Sequence, residues 1–161
     1  MLLDQKVIET LNYRIQQEED SARLYEQISL WLNNKGMINL SKLYKKYADE
    51  ENSHAGWSKS YLLDHRITPE LRILKKVGTE FIDVKQILDL TLSHELDVTR
   101  QVTELAELAL EEGNHVLYSL ATKYCAEQQE EHGKATTNLD IFALTLDLLV
   151  FDNYIGENIL N

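Results

Sequence analysis

Four segments of the chain carry glutamates where an apolar residue would continue a helical stripe: Glu18, Glu51, Glu95, and Glu127 with Glu131. His54 follows Glu51 at i+3, one turn further along the same face. Glu18 and Glu51 lie almost symmetrically about the turn signal Asn33-Asn34-Lys35-Gly36, and Glu95 and Glu131 about Gly113. Antiparallel helices pair positions equidistant from their turn, so each pair falls at one height near mid-helix. An unpaired buried carboxylate costs several kcal/mol even after relaxation, and four of them would rival a total stability of about 5–15 kcal/mol. No Lys or Arg is expected on the central stripes, since Lys134 lies a turn toward the end. Protonation relieves one or two such groups; a cluster of four with an imidazole binds metal instead. Four carboxylates balance two divalent ions, and an oxygen-rich set with one nitrogen suits iron or manganese better than zinc. A single such glutamate would be read as a misjudged register or a snorkelling surface residue. Four at matched heights are not.

The elements that must position these groups follow from apolar periodicity. The first stripe runs Ile8, Leu11, Ile15, Glu18, Ala22, Tyr25, Ser29, Leu32, and the second Leu40, Tyr44, Tyr47, Glu51, His54, Ser58, Tyr61. The third runs Val84, Leu88, Thr91, Glu95, Val98, Val102, Leu105, Ala109, and the fourth Leu117, Leu120, Tyr124, Glu127, Glu131, Lys134. The spacing predicts helices at about 4–33, 38–64, 83–112 and 115–143, with a short fifth near 147–157 after a break at Thr145-Leu146-Asp147. Gly36 and Gly113 take the left-handed position after the first and third helices. Thr68-Pro69 stops the second. The link before the third helix can reach about 60 Å at full extension, whereas a 27-residue helix is only about 40 Å long. It can therefore run the full length of a bundle and start the third helix beside the start of the second. An all-α four-helix bundle with one long crossover between its second and third helices, and a short fifth C-terminal helix, is the ferritin-like topology.

Composition narrows the function classes. The chain has 161 residues, a size that expects a single domain over 1–161 with the bundle at about 4–143. Six glycines and one proline are too few for most all-β folds or a Pro/Gly-rich disordered chain. A net charge of −11 argues against nucleic acid or an anionic membrane as partner and suits a protein that attracts cations. Cys125 is alone, which excludes an intramolecular disulfide and a CxxC redox site. No apolar run is longer than the four residues of Leu148–Phe151, too short to span a bilayer, and no signal peptide is read at the start, so the cytoplasm is the expected compartment. Tyr44, Tyr47, Tyr61, Tyr124 and Trp57 read as packing residues and Cys125 as a small core residue. His65, His94, His115 and His132 have no partner spacing.

With these residues in view the chain resembles bacterial non-haem ferritins from about residue 3 to 144. The likeness is carried by Glu18 with Tyr25 seven residues on, Glu50-Glu51-Asn52-Ser53-His54, His94-Glu95, and Glu127-Gln128-Gln129-Glu130-Glu131. The resemblance implies a ferroxidase that oxidises Fe²⁺ with dioxygen or hydrogen peroxide and stores the ferric mineral in a hollow shell of about 24 subunits. It implies that Glu18, Glu51 and His54 hold one iron and that Glu51, Glu95 and Glu131 hold the second, with Glu51 bridging. Tyr25 and Gln128 would neighbour the centre, and Glu50, Glu127 and Glu130 would surround a third iron position. Bacterioferritins and rubrerythrin-like proteins carry a second Glu-x-x-His on the fourth helix, where this chain reads Glu127-x-x-Glu130. The haem methionine of bacterioferritins is replaced by Asn52, so no haem is expected. Past Thr145 the match is loose.

Two alternatives stay open at this point. One is a di-iron oxidoreductase or peroxidase of the rubrerythrin or bacterioferritin type without bulk storage. The other is a non-catalytic helical assembly module whose glutamates are solvated.

Overall fold

The structure, a computed structural model, describes residues 3–161. Its helices are α1 (Gln5–Asn34), α2 (Ile38–Asp64), α3 (Val84–Glu111), α4 (His115–Thr145) and α5 (Leu148–Tyr154), the last continuing into a π-helical turn at Ile155–Ile159. There is no strand among the described residues, and no described helix is long and apolar enough to cross a membrane. The chain forms two compact units. One is the segment up to Glu80 together with Leu148–Asn161; the other is Phe81–Asp147.

The first unit is built on the α1–α2 hairpin. Asp4 starts α1 by accepting from the Lys6 amide at 2.7 Å. Gly36, at φ 82°, ends it in the left-handed region, and the Met37 amide returns to the Leu32 carbonyl at 3.0 Å. Two serines then fix the register. Ser29 Oγ donates to the Ser41 carbonyl and Ser41 Oγ to the Ser29 carbonyl, each at 2.8 Å in a buried contact. Because Ser29 and Ser41 straddle the turn symmetrically, Glu18 and Glu51 are carried to one level further along. Every residue of the expected α2 stripe, from Leu40 to Tyr61, is buried.

α2 ends at Asp64, as its periodicity predicts, but proline is not the cause. Arg66 adopts φ 62° and the Ile67 amide reaches back to the Leu62 carbonyl at 2.9 Å, so the helix is closed before Pro69. The crossover then runs along α1. Asn12 Oδ1 accepts from the Glu70 amide at 2.9 Å, Gln16 Nε2 donates to the Ile73 carbonyl at 3.0 Å, and Asp20 Oδ1 accepts from the Lys75 amide at 2.8 Å. These side chains, four residues apart on one face of α1, supply partners that an extended strap without a sheet would otherwise lack.

The C-terminal segment belongs to this same unit. Met37, at the N-terminus of α2, offers no side-chain cap. Instead Asp152 of α5 accepts from the Leu40 amide at 2.8 Å and the Asn39 amide at 3.3 Å, and is itself buried. A carboxylate there satisfies two orphan amides and meets the positive end of the helix dipole. Phe151 and Ile155, both fully buried, hold α5 in place.

The second unit is the α3–α4 hairpin. Asp83 accepts from the Gln86 amide at 2.7 Å while Gln86 Oε1 accepts from the Ile82 amide at 3.0 Å. Gly113 (φ 61°) closes α3, and Asn114 caps α4 through the Leu117 amide at 2.9 Å. The α3 stripe is buried as expected. That of α4 is corrected. The buried residues are Leu117, Ala121, Tyr124, Gln128, Glu131, Ala135 and Asn138, so the inward line passes through Gln128 rather than Glu127. Steps of three and four admit both lines, and the apolar Leu120 drew the expectation one position too early.

Candidate metal centre

Glu18 on α1 and Glu51 and His54 on α2 converge inside the first unit. All three are buried, and each offers a ligand atom within 4.8 Å of the others. His54 Nδ1 lies 3.5 Å from Glu51 Oε2 and 3.9 Å from Glu18 Oε2. With bonds of about 2.1 Å, two donors on one ion stand about 3.0 Å apart at right angles and about 4.2 Å apart on opposite sides, so both distances fit a shared cation. Glu18 Oε2 is buried with no hydrogen-bond partner, a state that a charged oxygen keeps at high cost unless something positive faces it. Trp57 lies against the imidazole, ring centres 4.7 Å apart, and packs it in place. The donor set is two carboxylates and a nitrogen, which suits a first-row divalent ion such as iron.

One neighbour overturns the expectation that the central stripes hold no cation. Arg14, four residues before Glu18 on α1, is only 2% exposed, and its Nε stands 2.9 Å from Glu18 Oε1. The stripe Leu11, Ile15, Glu18 passes beside position 14, but the arc that α1 buries is wider and takes in Val7, Leu11, Arg14, Glu18 and Ser21 as well. A basic residue at i−4 from an inward glutamate was the signal that could have found it.

The other expected residues fare differently. In the second unit Glu95 and Glu131 are both buried, at 2% and 5% exposure. Gln128 Nε2 donates to the Glu95 carboxylate and also to the Glu95 backbone carbonyl at 3.0 Å, so its amide nitrogen orients Glu95. Lys134 Nζ stands 3.5 Å from Glu131 and 3.2 Å from Glu130. Glu130 is 63% exposed and points to that lysine, while Glu127 is half-buried. Glu50 is half-buried on α2; its Oε1 lies 3.8 Å from Lys46, and its Oε2 is buried without a hydrogen-bond partner. Tyr25 sits in a cluster of rings with Tyr44 and Tyr47, centres 5.4–5.9 Å apart.

A cavity of about 290 Å³ opens on the second unit, lined by Leu96, Thr99, Cys125, Gln128, Gln129 and His132. Burial pushes the Cys125 thiol up, and its Sγ faces the Val102 carbonyl at 3.7 Å.

The model of the ferritin-like domain family matches residues 8–144. A probable bacterial non-heme ferritin-like protein of Haemophilus influenzae is 26% identical over 157 residues, covering 98% of this chain and 89% of that one. Ferritin BfrB of Mycolicibacterium smegmatis is 30% identical over 135 residues, covering 84% and 75%. Among solved structures, an open-pore ferritin from the archaeon Archaeoglobus fulgidus superposes with a TM-score of 0.92, over 97% of this chain and 98% of that one, at 24% identity. The fold is therefore the all-α, ferritin-like four-helix class that the periodicity predicts. With its family model matched across α1 to α4, the chain belongs to the ferritin-like domain family.

Proposed function

We propose that the protein is an iron-storage ferroxidase. The observation that carries this reading is the buried Glu18–Glu51–His54 group, gathered within 4.8 Å in a chain of the ferritin-like domain family. In this reading the two units act as one domain over residues 1–161. Fe²⁺ is the substrate, and dioxygen or hydrogen peroxide accepts its electrons. Glu18, Glu51 and His54 hold the first ion; Glu51, Glu95 and Glu131 hold the second, with Glu51 offering an oxygen to each. Carboxylate-rich donors favour the ferric over the ferrous state, and a fixed pair of sites permits a two-electron step. Gln128 orients Glu95 through its amide hydrogens. Glu50, Glu127 and Glu130 attend a third, weaker ion, and Tyr25 stands as a redox-capable neighbour.

The ferric product collects in a shell of about 24 copies, each of 18.7 kDa, or roughly 450 kDa in all. No haem, membrane or nucleic acid takes part, and the cytoplasm is the compartment proposed.

Replacing the shared ligand tests the chemistry. Glu51→Ala should slow the fast phase of Fe²⁺ oxidation at least about a hundredfold in stopped-flow absorbance, since one truncation weakens both sites. Oxidation at the wild-type rate would show that the centre is wrongly assigned.

A further inference from the structure

The Arg14–Glu18 contact has no place in a plain two-carboxylate, one-imidazole site. Both side chains are 2% exposed. Its Nε lies 2.9 Å from Glu18 Oε1, whereas Glu18 Oε2 has no hydrogen-bond partner and faces His54 Nδ1 at 3.9 Å. One oxygen of this carboxylate is occupied by a cation of the protein. The other is left for a ligand.

We propose that Arg14 is a positioning residue of the first metal site, holding Glu18 so that only Oε2 is offered to an incoming divalent cation and weakening the site's grip on that cation. The proposal rests on the assignment of Glu18, Glu51 and His54 as metal ligands. Two effects act together. The guanidinium charge 2.9 Å from Oε1 draws that oxygen toward Arg14 and disfavours turning both oxygens onto one ion. The fixed positive charge also halves the net negative charge of the group, from two carboxylates to the equivalent of one, so an incoming cation is attracted less strongly. A site tuned this way captures Fe²⁺ and lets its product go, whereas a carboxylate free on both oxygens would hold a divalent ion longer.

The test uses Co²⁺ without oxygen on the whole chain, with titration calorimetry for affinity and visible absorption for coordination number. A His54→Ala variant identifies which binding event belongs to this group. If His54→Ala leaves Co²⁺ binding as in the wild type, the ligand assignment itself fails, and Arg14 with it. Given a His54-dependent event, Arg14→Gln should bind Co²⁺ at least about tenfold tighter, the order expected on removing a like charge beside a cation site. Its visible bands should weaken as the second Glu18 oxygen joins the ion. Arg14→Lys, which keeps a positive charge at the position, should keep most of the weak affinity. Unchanged or weaker binding by Arg14→Gln overturns the proposal. A crystal structure of the Co²⁺-loaded wild type decides independently of how the variants fold. Arg14 Nε should remain on Oε1 with Oε2 on the metal; both oxygens on the metal, or Arg14 swung away, contradicts the role.

Discussion

Glu18 and Arg14 make the site's energetics unlike those of a bare carboxylate cluster. Breaking a buried ion pair is costly, so metal-free Glu18→Ala should lose about 3 kcal/mol of stability in urea unfolding. A loss below about 1 kcal/mol would mean that Arg14 finds equal company elsewhere. Cys125 offers a second check on local environment. Burial raises its thiol pKa, so alkylation by iodoacetamide should gain speed only above the ordinary thiol range. The folded chain then holds that proton more tightly than the unfolded one, and this group's contribution to stability falls as pH rises past the ordinary thiol pKa. A rate profile centred at or below the free-thiol value would contradict the burial. At this scale the sequence was legible for Glu18, Glu51 and His54, because a charged residue on an apolar stripe is conspicuous. Arg14 was not, because its position reads as the flank of a stripe and only the width of the buried arc brings it inside.

The elements followed their local signals closely where the signal was itself local. Asp4, Asp83 and Asn114 cap the helices they precede, and Gly36 and Gly113 end the helices they follow. Long-range partners escaped. Arg66 rather than Pro69 closes α2, and the Asn12–Gln16–Asp20 face that receives the crossover is indistinguishable in sequence from a solvated one. Most informative is Asp152, which caps α2 from more than a hundred residues away. Asp152→Ala should cost about 1–2 kcal/mol and loosen α5, seen as a lower urea midpoint and faster amide exchange at Asn39 and Leu40. Exchange at those amides equal to the wild type would show that α2 does not depend on this cap. The Ser29–Ser41 pair likewise fixes a register that symmetry about the turn had already suggested.

For the molecule as a whole, the all-α class, the order of four long helices and the long link between the second and third were readable because each helix carries enough turns to display its period. The division of buried positions along α4 was not, since Gln128 and Glu127 differ by one residue and both are polar. As proposed above, this ferritin-family chain oxidises iron and stores it. Aerobic loading with a large excess of Fe²⁺, followed by removal of unbound metal and iron counting against protein, tests that claim most directly. A storing chain retains iron far beyond about two ions per chain, held in a particle of several hundred kilodaltons. Saturation at about two per chain would make the protein a di-iron oxidoreductase without storage, and no retained iron would contradict the metal site itself.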